Sequence, residues 1–339
     1  MARNQGWVYR DRITAGSHGV GVLDFYAQRY RHSSWADWQA RLEAGQIYVD
    51  NRIATAHDRL RSGQVLAYHR PPWEELPVPL DFQVIYEDGD LLAIAKPAGL
   101  PVLPGGNFLT HTLLYQLQQR YPDQTPVPVH RLGRGTSGLL VMARSTQARA
   151  DLSRQFRHGT LQTPGRSSLG KIYRALISPG NCPDRFTITT AIGKYAHPVL
   201  GYVYGATPTG KPAQSQVRVL ERWGSATLVE VAITTGRPHQ IRIHLAAAGY
   251  PLLGDPLYGP GGIPATGLAT DLESDSALSH NLAVPGDTGY YLHAYRLYLL
   301  HPHHQEPIEF IAPLPQWVYG GKDDLPPCRP GAASAIMGL

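Results

Sequence analysis

The chain has 339 residues, enough to bury a large core and to divide into domains, and its formal net charge is +5. With 42% hydrophobic and 17% charged residues it has the composition of a folded globular protein, which excludes an intrinsically disordered chain, and no run approaches the roughly 18 apolar residues of a membrane helix. Of its 31 basic residues only five are Lys, leaving 26 Arg; the planar guanidinium grips phosphate in bidentate fashion and stacks on bases, so the bias suits RNA, although a GC-rich genome gives the same count.

In chain order, Met1-Ala2-Arg3-Asn4-Gln5-Gly6 lacks the apolar core of a signal peptide. Val22, Leu23, Tyr26 and Tyr30 fall at helical spacing. A second helix opens with Ser34 as N-cap and Asp37 three residues on, with Trp35, Trp38 and Leu42 on its apolar face. Gly45 stops it, and Gln46 to Ile53 reads as strand, turn, strand. Residues 1–79 therefore form a small domain of two helices on a small sheet, with Arg29, Arg31 and Arg41 near its exposed face, ending in the proline-rich linker Pro71 to Pro79.

Residues 80–319 form the main domain, and residues 320–339 a flexible tail. Helices are predicted at Leu109–Arg120, Gln147–Arg157 and His239–Ala248. Strand-like runs such as Leu139–Ala143, Thr227–Thr234 and Tyr290–Leu300 outnumber them, so the fold class is α+β: a mixed, mainly antiparallel sheet with flanking helices. Gly159 to Leu169, Pro260 to Asp287 and Gly320 to Leu339 are rich in Gly, Pro, Ser and Thr and read as mobile surface segments. Cys182 and Cys328 are too few for a zinc site or a disulfide framework, which fits a reducing cytosol. His301, His303 and His304 have the spacing of a strand-end turn, and no metal site is expected.

The most informative stretch is His130-Arg131-Leu132-Gly133-Arg134-Gly135-Thr136-Ser137-Gly138. Its glycines fit G-x-G-x-x-G, which in a dinucleotide-binding unit lets amides at a helix start approach a pyrophosphate. Here they stand between two extended runs, Val127-Pro128-Val129 and Leu139-Leu140-Val141-Met142-Ala143, with no helix directly after them, so no nucleotide cofactor is implied. Further on lie Gly170-Lys171-Ile172-Tyr173-Arg174-Ala175-Leu176 and the run from Thr235-Gly236-Arg237-Pro238-His239-Gln240-Ile241-Arg242 to Gly254-Asp255-Pro256-Leu257-Tyr258-Gly259. In order, these resemble the first, second and third motifs of the RluA-type pseudouridine synthases, whose first motif is His-Arg-Leu-Asp-x-x-Thr-Ser-Gly. Ile94 to Val102, Gly210 to Ser215 and Leu292 to Leu297 are similar to further family segments in the family's order. More loosely, the N-terminal domain resembles the αL RNA-binding domain of the ribosomal protein S-four type.

The resemblance implies a pseudouridine synthase fold and an isomerase that flips a uridine from its stack, breaks the bond between ribose and base nitrogen, turns the base and rejoins it through carbon 5. By position, Tyr173 would lie against the base and could accept its proton, Arg242 would pair with the catalytic carboxylate, and Leu245 would complete the wall. Arg131 would fill the gap left by the flipped base, and Arg134, Arg237 and His239 would contact RNA, as would Arg29, Arg31 and Arg41. One position departs from the family. Gly133 stands where the catalytic Asp belongs, and a glycine serves as neither nucleophile nor base; Gly135 removes a second acid often found in this turn. Arg242 is thereby left as a buried charge without its partner, which predicts an anion, a water or another acid beside it; Asp255 is the nearest acid by motif, although the resemblance implies a structural use of that position and not recruitment to Arg242. The expected function is an RNA pseudouridine synthase acting on structured RNA such as rRNA or tRNA; the alternative is a catalytically inactive RNA-binding relative serving as chaperone or assembly factor. Either is expected to be a cytoplasmic monomer with no cofactor and no membrane association.

Overall fold

The computed structural model describes residues 3–158, 169–178, 181–197, 200–224, 226–265 and 284–319. Of the predicted surface segments, residues 159–168, 266–283 and 320–339 lie outside the described residues. The chain divides into two compact units, one built on Met1–Leu76 and the other on most of the chain from Pro77.

In the first unit β1 (Trp7–Arg12), β2 (Ile47–Val49), β3 (Arg52–Ile53) and β4 (Val65–Arg70) form an antiparallel sheet in the order β1-β4-β2-β3. The turn between β2 and β3 places Asp50 and Asn51 at φ 47° and 67°, a left-handed conformation that short polar side chains tolerate. Over the sheet lie α1 (Val22–Arg29) and α2 (Trp35–Glu43). The predicted capping box opens α2: the Asp37 amide donates to Ser34 Oγ at 3.1 Å and the Ser34 amide donates to Asp37 Oδ2 at 2.7 Å. Val22, Leu23, Tyr26, Trp38 and Leu42 bury against Ile47, Leu66 and Tyr68, and the Tyr26 and Trp38 rings stack at 4.4 Å. Two expectations fail here. Trp35 is 48% exposed, because side chains lean toward a helix's N-terminus and the first one projects past its end. Arg41 folds back onto the aromatic core, its guanidinium carbon 4.3 Å from the Trp38 ring centroid, instead of facing outward.

The second unit holds a ten-stranded sheet. Its strands are β5 (Gln83–Glu87), β6 (Leu91–Lys96), β7 (Val127–Pro128), β8 (Ser137–Ala143), β9 (Leu169–Ile177), β10 (Arg185–Ile188), β13 (Ser215–Trp223), β14 (Ala226–Ile233), β15 (Leu292–Leu300) and β16 (Pro307–Ile311). They run β10-β13-β14-β9-β15-β8-β6-β5, with β16 beside β15 and β7 beside β8, while β11 (Ile192–His197) and β12 (Gly201–Ala206) form a separate hairpin. The β15–β8 pairing is parallel and the other pairings in this sheet are antiparallel, so the sheet is mixed and mainly antiparallel as the sequence indicates. Flanking it are α3 (Leu113–Arg120), α4 (Thr146–His158) and α5 (Gln240–Ala247). The first of these starts later than predicted because Thr112 caps it, its hydroxyl accepting from the Tyr115 amide at 3.3 Å. No described helix is long and apolar enough to cross a membrane.

The two halves of this sheet meet where β8 runs beside β15, and that junction demands a glycine. Gly138 has φ +103°, and a Cβ there would stand 2.2 Å from the Ala294 carbonyl oxygen. The last glycine of the first motif is therefore a close-approach residue. The junction sets the start of β8, the start of β15 and the middle of β9 side by side.

Candidate active site

The turn that enters β8 is closed by the Thr136 amide donating to the Gly133 carbonyl at 3.1 Å. It is tied down from below by Lys96, which is 1% exposed and donates to the carbonyls of Pro97 and Leu100 at 2.8 Å and of Arg134 at 3.3 Å. Burial, aided by the nearby Arg134 charge, pushes the Lys96 ammonium down to about 7. His130 fixes the other side: its Nε2 accepts from the Val141 amide at 3.0 Å and its ring stacks on Phe156 at 4.3 Å. Burial and the Lys171 charge bring it down to about 3, so it is a neutral structural imidazole. Arg131 is exposed beside the turn.

Lys171 and Tyr173 are two residues apart on β9 and so share a face, where both line a small cavity with His130, Leu139 and Arg296. Burial lowers Lys171 to about 8 and raises Tyr173 to about 12. Tyr173 is therefore a neutral phenol at ordinary pH, which favours contact with a base over acceptance of its proton.

The third motif builds α5. His239 precedes it in a left-handed conformation, φ 54°, its Nδ1 2.9 Å from the Tyr258 hydroxyl. Burial, then the Arg242 charge, brings His239 down to about 3, so it is a neutral ring and not a cation. Arg242 projects from α5 into the interior: Nε donates to Asp255 Oδ2 and Nη2 to Asp255 Oδ1, each at 2.7 Å, with the two side chains 3% and 1% exposed. Burial opposes the Arg242 charge, but the Asp255 hydrogen bonds and charge outweigh it and hold the guanidinium above its usual range. The anion predicted beside Arg242 is thus Asp255. Its Oδ1 also accepts from the amides of Leu257 at 2.9 Å and Tyr258 at 3.2 Å, so this carboxylate is saturated and balances charge. Leu245 is fully buried in a cluster with Ile241, Leu252 and Tyr290, against which Tyr173 also packs.

Arg134 donates through Nε to the Gly286 carbonyl at 2.8 Å, and Arg242 through Nη1 to the Pro285 carbonyl at 3.3 Å, so both hold the segment before Tyr290. Arg237 donates to the Pro212 carbonyl at 3.1 Å. In the first unit, Arg29 lies 3.4 Å from Asp11 and Arg31 donates to the Gln28 carbonyl at 3.4 Å, both exposed. The structure thus gathers Gly133, Tyr173, Arg242 and Leu245 around the β8–β15 junction. It adds three residues that sequence reasoning left without a role: Lys96, Thr136 and Tyr290. The Thr136 and Tyr290 hydroxyls are 3.2 Å apart, and the Arg242 guanidinium carbon is 4.3 Å from the Tyr290 ring centroid. The one hint in the sequence was the pair Gly133 and Gly135, two missing side chains whose space something else must fill.

Residues 90–247 match the family of RNA pseudouridylate synthases. An uncharacterized RNA pseudouridine synthase of Synechocystis is 51% identical over 294 residues, 87% of this chain and 94% of that protein. The ribosomal large subunit pseudouridine synthase D of Neisseria meningitidis serogroup B is 34% identical over 316 residues, 90% of this chain and 78% of that one. Among solved structures, human RNA pseudouridylate synthase domain containing 1 is similar with a TM-score of 0.50 and 25% identity, covering 71% of this chain and 87% of that one. With its motifs in order, its mixed sheet and its site at the β8–β15 junction, the chain belongs to the RNA pseudouridine synthase family.

Proposed function

We propose that this chain isomerises uridine to pseudouridine in structured RNA, with ribosomal RNA the first class to examine because the Neisseria relative is named for the large ribosomal subunit. The observation that carries this reading is the convergence of three separated motifs: the turn at Gly133, Tyr173 on β9 and Arg242 on α5 all border one junction of the sheet. Tyr173, held neutral, offers a ring face to a flipped base, and Arg131, exposed beside the turn, can take the place the base vacates. The first unit adds a surface suited to RNA: on edge strand β1, Trp7 and Tyr9 are 51% and 41% exposed, with exposed Arg10 next to them, a mixture of stacking rings and positive charge. Action as a cytoplasmic monomer without a cofactor belongs to the same reading.

A second reading, an inactive RNA-binding relative, is favoured by one observation: Gly133 has no side chain where the family's acid stands. Base-by-base pseudouridine mapping of RNA from cells with and without the gene separates the two. Sites that vanish with the gene and return with a plasmid copy support the isomerase; an unchanged map supports the binder.

A further inference from the structure

Residues 133 and 135 are both glycine, and one side chain accounts for both. A Cβ on Gly133 would stand 2.9 Å from the Tyr290 hydroxyl and 3.5 Å from Thr136 Oγ1. On Gly135 it would stand 2.9 Å from two Tyr290 ring carbons and 3.2 Å from the Thr288 Cα. Neither glycine has a left-handed backbone, so occupied space, and not φ, is what excludes a side chain there. The volume a side chain at 133 would enter is filled by a phenol.

That phenol is held in place. Tyr290 is 5% exposed, its hydroxyl is 3.2 Å from the Thr136 hydroxyl, and the Arg242 cation lies against its ring. Two nearby acids are otherwise engaged: Asp255 is saturated by Arg242 and two amides, and Asp287 Oδ2 accepts from the Val284 amide at 2.7 Å. We propose that Tyr290 is the reacting residue of this chain, its hydroxyl oxygen taking at the ribose the part that the family gives to a carboxylate at position 133. The assignment rests on the isomerase reading above.

The step balances without a co-reactant. Water accepts the Tyr290 hydroxyl proton as its oxygen attacks ribose C1′; the O–C1′ bond forms as the C1′–N1 bond breaks, and its electron pair leaves on uracil N1. The detached uracil anion turns within the site and attacks C1′ through C5, and the O–C1′ pair returns to the phenolate. Water takes the C5 proton and supplies one to N1, so the product is an isomer of the substrate. A nucleotide reaches this oxygen when the segment before Tyr290, held by the Arg134 and Arg242 bonds to carbonyls 286 and 285, moves aside.

The test is release of tritium from C5-labelled RNA of the host by the full chain and three variants. Tyr290→Phe should lose roughly 100-fold or more in rate while its melting curve and RNA affinity stay as in the parent. Replacing Tyr290 by 3-fluorotyrosine, a more acidic phenol, should move the pH–rate profile to lower pH, a shift that a packing role would not produce. Asp287→Asn should stay active. An active parent whose Tyr290→Phe variant keeps its rate, or whose Asp287→Asn variant alone is dead, overturns the assignment to Tyr290 and leaves the isomerase reading standing. A parent that releases no tritium from any host RNA overturns both.

Discussion

Arg242 and Asp255 form a two-pronged ion pair, Nε to Oδ2 and Nη2 to Oδ1 at 2.7 Å, with almost no exposure to water. Removing one partner strands the other's charge in the interior, whereas removing both leaves no such charge. Asp255→Asn should therefore destabilise the protein by about 3–5 kcal/mol, and Arg242→Met with Asp255→Leu by less than the sum of the single changes. Chemical denaturation measures both; a single Asp255→Asn change below about 1 kcal/mol would contradict the burial of the pair.

Restoring the family's acid at position 133 is not a matter of backbone strain, since Gly133 lies outside the left-handed region. It is a matter of room. Gly133→Asp alone should cost about 1–3 kcal/mol through its collision with the Tyr290 hydroxyl. Adding Tyr290→Phe, which removes the colliding atom, should return part of that loss, with a coupling of at least about 0.5 kcal/mol in a double-mutant cycle. Additive changes would show that the side chain at 133 points elsewhere.

The turn at Gly133 and the capping box at Ser34 were legible because each is local: a few adjacent residues fix a turn or a helix start; Tyr173 and Arg242 were legible only through the resemblance of their motifs. That some group must balance Arg242 was legible from the cost of a lone buried charge, but its identity as Asp255 was not, because motif position marked that acid as structural. Tyr290 was not, because it approaches Gly133 from 157 positions along the chain, through the parallel pairing of β8 and β15. Local spacing carries no trace of that pairing. Arg41 and Trp35 were misread for a related reason: periodicity assigns a helix face but not where the neighbouring sheet ends or which way a side chain near the terminus leans.

The same junction makes Gly138 irreplaceable. Gly138→Ala places a methyl 2.2 Å from the Ala294 carbonyl oxygen and forces a left-handed φ on an L side chain. Loss of more than about 3 kcal/mol, or failure to fold, is expected, whereas Gly105→Ala, with nothing within 4 Å, should be nearly neutral in the same denaturation series.

Acid sensitivity should come in part from Asp88, whose Oδ2 accepts from His301 Nε2 and the Tyr86 hydroxyl, and whose Oδ1 accepts from the Asp90 and Leu91 amides, all at 2.8 Å. Burial raises this carboxyl, but the four donors outweigh it and hold it down at about 2. A depressed carboxyl stabilises the fold fully above its unfolded value. Its contribution, at most about 2 kcal/mol, is lost as pH falls from about 4 through 2. Asp88→Asn should flatten the stability profile across that window; an unchanged slope would remove Asp88 from the account.

Isomerisation of uridine by a pocket whose turn carries glycine at position 133 is directly measurable. The most direct measurement is tritium release by the purified full chain from C5-labelled RNA, using rRNA and tRNA from host cells that lack the gene. Release should saturate at a small whole number of sites per RNA molecule and leave pseudouridine at those sites. An intact, RNA-binding chain that releases no tritium from any host RNA would contradict it.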